Sequence, residues 1–403
     1  MKILHLIRSV DPEGGGPIEY ARVMAQAHSG DGHESVFVTL DEPGQPFLSE
    51  FPFQVEATGP VRGLLRQAPA FGPRVAELME GADAAVIHGL WTYATVGAYG
   101  EMKRAGFPWL VFTHGMLDPY FRKANPLKHG LKQIYWSLRL GRVLTEAHAV
   151  LFSCEEEQRL AKGAFVGHQD YHSKVLAFCA SDQTLPQAQL VSGRAEFRAL
   201  VPKLGDRPYL LFLSRIHPKK ACDNLIDAFA AVADRHPDLD LVIAGPDQIG
   251  WTTELKAQAV RHGIAERIHW PGMVKGAAKS AAFADARAFV LPSHQENFGL
   301  VVAEALSVGT PVLISDKVNI WREVVTDKVG LAVRDTTAET TAMIDEFLSM
   351  PTNEVTVMRA ACRLSYKKRF SVESAASELA AAVAEAARTK RRAVNRAGIA
   401  GDL

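Results

Sequence analysis

The sequence contains no run of about 18 apolar residues, so no helix in it is expected to cross a membrane. Cysteine is scarce. Cys154, Cys179, Cys222 and Cys362 lie scattered, without paired metal-ligand spacing, and read as reduced thiols of a cytoplasmic protein. Net charge is absent: 45 Lys+Arg balance 45 Asp+Glu, which argues against a general nucleic-acid binder while leaving room for local basic patches. The apolar start, Met1 to Arg8, is too short for a signal peptide and suits a buried first strand. What is present is ordinary globular material: 47% hydrophobic and 22% charged residues argue against disorder. At 403 residues the chain exceeds one ordinary core, so two domains are expected.

The first half repeats a short apolar run, a turn and a helical stretch. Strands are predicted at Ile3–Ile7, Val36–Leu40, Ala84–Ile87, Leu110–Thr113 and Ala149–Phe152, with helices at Ile18–Ala27 and Val75–Met79. The pattern lapses over residues 181–207, where only Ala195–Leu200 suggests a helical turn or two. It restarts with strands at Tyr209–Leu213, Leu239–Ala244, Ile268–Trp270, Ala288–Leu291 and Pro311–Ile314. Helices are predicted at Asn224–Asp234, Thr253–His262, Leu300–Ser307 and Thr337–Leu348. Parallel strands with crossover helices follow from such alternation. The expected division is a domain at 1–180, a linker at 181–207, a second domain at 208–370, and a tail at 371–403. That tail holds a helix at Val372–Ala387, packing back on the first domain, and a frayed basic end.

Four stretches carry chemistry. Glu296-Asn297-Phe298-Gly299-Leu300 and, in the following helix, Glu304 come after a strand ending at Leu291. Glu304 is the one charge in an apolar helix, where a carboxylate needs a partner. Helical side chains lean toward the N-terminus, so both acids can face the helix mouth, whose free N–H groups suit a phosphate. A capping acid with a backbone-satisfied buried acid is the bland alternative. Arg215 and Lys220 follow the strand Tyr209–Leu213, where parallel sheets bind ligands; a fork of donors and a point charge suit a diphosphate, although a solvated basic turn would look similar. Gly14-Gly15-Gly16-Pro17 allows close backbone approach but lacks dinucleotide spacing, and a plain tight turn fits equally well. His88 with Trp91, and His114, sit at adjacent strand ends, placed to line a cleft and meet sugar hydroxyls; a lone histidine is more often structural.

Together these features resemble family 4 of the retaining glycosyltransferases over nearly the whole chain. The resemblance implies an α/β GT-B fold: two facing Rossmann-like doubly wound domains with a cleft between them and a C-terminal helix. It implies a hexose (mannose, glucose, galactose or an N-acetyl derivative) moved from a nucleoside-diphosphate sugar, GDP- or UDP-linked. The acceptor would be a glycan or a polyprenyl-diphosphate-linked sugar in cell-surface polysaccharide assembly. Arg215 and Lys220 would hold the diphosphate, Glu304 the ribose and Glu296 the sugar. Backbone amides of Asn297, Phe298, Gly299 and Leu300 would assist. Gly15 and Gly16 resemble a loop closing over the phosphates, and His114 the active-site histidine; Arg215, Lys220, Glu296 and His114 would be catalytic. His88, Trp91 and His114 would meet the acceptor. No metal or cofactor is expected, since Asp238-Leu239-Asp240 imitates a metal pair but starts a strand, away from the ligand edge.

Two departures stand out: Ala221 where many members have glycine, and Leu176–Ser181 without the usual Asn-Gly-Val-Asp. Residues 120–142 interleave Arg122, Lys123, Lys128, Lys132 and Arg139 with Tyr120, Phe121, Tyr135 and Trp136. That suits either an anionic membrane surface or a solvated helix face, and no nucleic-acid motif accompanies it. A nucleotide-sugar epimerase of similar fold, an NAD-dependent oxidoreductase and a non-catalytic sugar-nucleotide-binding protein are the alternatives.

Overall fold

The computed structural model describes residues 1–12, 15–63, 66–119 and 126–401, with side chains described to position 388. The chain forms two compact units, Met1–Phe178 with Val372–Leu403, and Cys179–Ser371. Each is built on one parallel sheet.

The first sheet has seven strands: β1 (Lys2–Leu6), β2 (Glu34–Thr39), β3 (Gln54–Ala57), β4 (Ala84–His88), β5 (Trp109–Phe112), β6 (Ala149–Phe152) and β7 (Ser173–Val175). They run in the order β3-β2-β1-β4-β5-β6-β7, every pair parallel. The central strands are apolar on both faces because helices cover both. One face packs Leu4, Leu6, Val36, Val38, Ile87, Val111 and Phe152 into a core, and the other packs Ile7, Phe37, Ile18 and Ala21. The helix Val372–Gly401 belongs to this unit. It buries Ala375, Leu379, Ala382 and Val383, and its Ala376 carbonyl lies 2.9 Å from Nε2 of His28 in the helix Gly16–Gly30.

The second sheet comprises β8 (Tyr209–Leu213), β9 (Asp240–Ala244), β10 (Ile268–Gly272), β11 (Ala288–Leu291), β12 (Val312–Ser315) and β13 (Gly330–Val333) in the order β10-β9-β8-β11-β12-β13. In both sheets the chain reverses direction across the sheet at a central pair, β1/β4 and β8/β11. There the outgoing loops diverge and leave a crevice at the strands' C-terminal ends.

Three strands have no counterpart in the sequence reading: β3, β7 and β13. Each is a short edge strand, with half-exposed residues in place of an apolar run. The stretch expected as a linker holds a full 14-residue helix, Gln187–Leu200. Its apolar periodicity is faint because it packs through a small residue: a Cβ on Gly193 would sit 2.3 Å from the Ala277 carbonyl of the helix Gly276–Asp285. Arg194 clamps the same helix through Asp285 at 2.8 Å. The expected frayed end is helical through Gly401. Among the described residues no helix is long and apolar enough to cross a membrane.

Candidate active site

In the second unit, β8 and β11 carry the charged residues to the crevice beside one another. Lys220 ends a short turn after β8 and is buried; its amine donates to the Glu296 carboxylate after β11. The turn closes through Ala221, which adopts φ 52°, ψ 45°, a left-handed conformation that disfavours any residue with a Cβ. Arg215, exposed at the same edge, reaches Gln248 at 3.4 Å. Glu296 is fixed by its backbone: its N–H donates to Lys317 and its carbonyl accepts from Asn319.

Gly299 begins the helix Leu300–Ser307 at φ 78°, where an added Cβ would lie 3.1 Å from Val318 and 3.3 Å from the Glu296 side chain, so glycine is required twice over. No side chain caps this helix, so no side chain takes up the N–H groups of its first turn. Phe298 is buried against Phe370 with ring centroids 5.6 Å apart, Asn297 lies 3.4 Å from Asn319, and Leu300 is exposed. Glu304 is buried, and burial raises its carboxyl pKa against the pull of the nearby Lys279 ammonium. One oxygen, Oε1, accepts from Lys279 at 2.7 Å and Gln183 at 3.4 Å; Oε2 is buried with no hydrogen-bond partner. Lys279 was not foreseen. Its signal was available, because it too is a lone cation in a helix of small apolar residues, Gly276–Asp285.

In the first unit, three histidine rings form a stack. His5 Nδ1 lies 3.0 Å from His88 Nε2, and His88 Nδ1 lies 3.2 Å from His114 Nε2. Burial holds all three pKa values below the usual imidazole range, that of His114 at about 3, so the rings are neutral. A neutral chain admits two proton patterns, and the free Nε2 of buried His5 decides between them. If protons sat on every Nε2, His5 would bury an N–H with no acceptor. Protons on every Nδ1 leave only a bare lone pair, the cheaper orphan. His114 therefore carries its proton on Nδ1, the nitrogen that His88 does not engage.

His114 itself sits at φ 48°, in a turn not expected from its residues. Glu157 holds that turn. Its buried carboxylate accepts from Thr113 Oγ1, Gly115 N, Ser153 N and Ser153 Oγ at 2.5–2.8 Å. It was not among the residues singled out from the sequence: it is the third of three acids that open the helix Glu155–Ala161.

The acceptor reading of His88 needs correction: it is 3% exposed with its Nδ1 3.2 Å from His114 Nε2, which places it to orient that ring and not to meet an acceptor directly. Trp91 lines a cavity of about 820 Å³, and its Nε1–H donates to the Met116 carbonyl at 3.2 Å. Gly15 caps the helix Gly16–Gly30 at φ 82°, ψ −156°, reachable by glycine alone; Glu13 and Gly14 lie outside the described residues. Trp136 is a core residue, 1% exposed, with its indole N–H donating to the Gly167 carbonyl at 2.7 Å. Tyr120, Phe121, Arg122 and Lys123 are outside the described residues. Asp240 is buried against Arg207 at 2.9 Å and His269 at 2.8 Å.

Against known proteins, residues 193–364 match the family described as glycosyl transferases group 1, and residues 15–172 match the glycosyl transferase 4-like domain. The chain belongs to the family 4 glycosyltransferases.

Within this family it is 30% identical over 237 residues to the D-inositol 3-phosphate glycosyltransferase of Streptomyces avermitilis, covering 57% of this chain and 51% of that protein. It is 34% identical over 157 residues to the phosphatidyl-myo-inositol mannosyltransferase of Mycobacterium leprae, covering 38% and 39%. The chain thus spans about half the length of these relatives or less. Two solved structures share the GT-B fold over almost the whole chain. HepE of Anabaena, crystallised with UDP, has a TM-score of 0.74 at 18% identity, covering 96% of this chain and 100% of that one. A glycosyltransferase of Rickettsia africae has a TM-score of 0.73 at 14% identity, covering 95% and 97%.

Proposed function

We propose that the chain is a retaining glycosyltransferase that moves a hexose from a UDP- or GDP-sugar to a glycan or lipid-linked acceptor in the assembly of a cell-surface polysaccharide. The observation that carries this reading is Glu304. A buried carboxylate oxygen without a donor, beside the Lys279 ammonium and in a helix whose N-terminus no side chain caps, is an unfinished site. A ribose supplies hydroxyl donors for that oxygen, and the diphosphate beside it meets the helix amides, Arg215 and Lys220. UDP and UDP-glucose in the Anabaena crystals are consistent with that class of donor.

In the proposed reaction Lys220 and Arg215 stabilise the negative charge growing on the leaving diphosphate. Glu296 releases Lys220 to the phosphate and takes the sugar hydroxyls. His114, neutral and donating through Nδ1–H, meets an oxygen of the sugar. The departing phosphate accepts the proton of the attacking hydroxyl on the same face, which retains the anomeric configuration. The proposal includes no metal; loss of transfer in chelator, restored by Mg²⁺ or Mn²⁺, would overturn that part. It also places the enzyme in the cytoplasm, where nucleotide sugars would be its donors.

The experiment is a thermal-shift series with UDP, GDP and ADP, their sugars, and NAD as control, repeated on Glu304→Ala. A rise in melting temperature with one diphosphate class, lost in the variant, supports the donor site. No rise with any nucleotide in folded protein would overturn it.

A further inference from the structure

The cavity beside Trp91 lies wholly in the first unit, at the C-terminal ends of β1, β2 and β4, where the order of that sheet reverses. Crevices of this kind bind ligands in open parallel sheets. Four cations line it among the described residues, Arg8, Arg66, Lys128 and Lys132, against two carboxylates, Asp11 and Asp41. Asp41 is already engaged by the Val10 N–H at 3.0 Å. Lys132 is half-buried with its amine 4.4 Å from the centre of the Trp91 ring, and burial together with the charge of Lys128 lowers its pKa. Cations gathered beside an aromatic wall at the C-terminal edge of a parallel sheet suit an anionic ligand.

The rim of the cavity is apolar in a specific way. The helix Pro126–Tyr135 continues through a π-helical turn, Trp136–Leu140, into Gly141–Thr145, and contains no acid over its whole length. Leu127, Leu131, Ile134 and Leu138 recur at spacings of four, three and four residues, which puts them on one face. They are 87%, 70%, 58% and 69% exposed, more than a water-facing stripe needs, while the aromatics Tyr135 and Trp136 turn inward. Leu131 belongs both to this stripe and to the cavity wall, so the apolar face begins where the cationic pocket opens.

We propose that the cavity binds the phosphate or diphosphate of a lipid-linked acceptor whose hydrocarbon chain leaves along the Leu127–Leu138 face. This deepens the glycosyltransferase reading and rests on it, by naming the acceptor class as an anionic amphiphile. Arg66 and Lys128 bracket the anion, Lys132 and Trp91 form the floor, and Leu131 is the first contact of the chain.

The test is calorimetric titration of the full chain with inorganic pyrophosphate, farnesyl diphosphate and farnesol, in an Arg215→Ala/Lys220→Ala background so that the diphosphate-binding cations proposed for the second unit do not compete. Farnesyl diphosphate should bind more tightly than pyrophosphate by about tenfold or more, since even a few buried methylenes supply that factor. Arg66→Ala with Lys128→Ala should weaken both diphosphates by about tenfold or more. Leu131→Ser with Leu138→Ser should weaken farnesyl diphosphate alone. All four positions are exposed, and an unchanged melting temperature confirms the fold. Binding unaltered by loss of both cations overturns the site. Pyrophosphate binding that needs the cations, with no gain from the farnesyl chain, overturns the lipid class in favour of a soluble phosphate. Nucleotide thermal shifts separate the two readings: they survive in Arg66→Ala/Lys128→Ala with Lys220 intact if only this proposal fails, and are missing from the unaltered protein if the glycosyltransferase reading fails.

Discussion

The Lys220 ammonium and the Glu296 carboxylate form an ion pair across the crevice between β8 and β11, with the lysine side chain 7% exposed and the glutamate 22%. A buried cation needs an anion, and here the partner is the acid assigned to the sugar. On the proposed function the pair holds Lys220 in place before the diphosphate arrives, and exchange of one anion for another avoids leaving the lysine bare. Lys220→Ala at saturating donor should raise the transfer barrier by about 2–4 kcal/mol, the range for losing a preorganised electrostatic contact. The readout is kcat with the matched nucleotide sugar, and unchanged turnover would sink the role given to Lys220.

The histidine stack predicts an acid-side loss of stability. The unfolded rings titrate near pH 6.5, whereas His5, His88 and His114 are held lower in the fold, His114 at about 3. Below about pH 6.5 the unfolded chain binds protons that the folded chain refuses, so the stabilisation is complete above that pH and declines as pH falls. The slope approaches about 1.4 kcal/mol per pH unit for each histidine. Urea midpoints at pH 7.5 and pH 5 measure it, and His5→Phe, stacked on Phe37, should flatten the decline. Long-range ¹⁵N–¹H spectra should show the Nδ1–H tautomer at His114; an Nε2–H tautomer would reverse its assignment as a donor.

Glu157 satisfies four donors around the His114 turn. Glu157→Ala orphans all of them inside the first unit and should remove about 2–4 kcal/mol of stability, less than the pairwise sum because water can enter the gap. Denaturant unfolding gives the number. An unaltered midpoint would mean that the turn holds itself.

Ala221 occupies a left-handed conformation at a fully buried position. Replacing it with glycine relieves about 1–2 kcal/mol of strain and returns part of that through the freer unfolded chain, for a net gain of about 0.5–1 kcal/mol. A rise of the melting temperature in Ala221→Gly is the expected result, and a fall would show that the methyl group packs better than its backbone suffers.

The parallel strands at the centre of each sheet were legible because burial on both faces makes them continuous apolar runs; β6, β8 and β11 have the bounds predicted for them. The helix Leu300–Ser307 was legible too, bounded by Gly299 and Gly309, with Glu304 standing out as its single charge. Residues whose importance is a local anomaly, a lone charge or a glycine where the backbone must turn, can be found in one dimension. The edge strands β3, β7 and β13 were not visible, since a strand exposed at one side carries no uninterrupted apolar signal.

Partnerships were decided by tertiary structure alone. That Lys279 meets Glu304, that Glu157 holds the turn at His114, and that His5 and His88 stand behind it all depend on contacts between residues 25 to 83 positions apart. The helix Gln187–Leu200 likewise became recognisable only through the close approach of Gly193 to Ala277. Composition and periodicity determine which segments can pair and bury their faces. Which polar atoms end up satisfied, and which, like Glu304 Oε2, are left waiting, is settled only when the sheets bring distant loops to one edge.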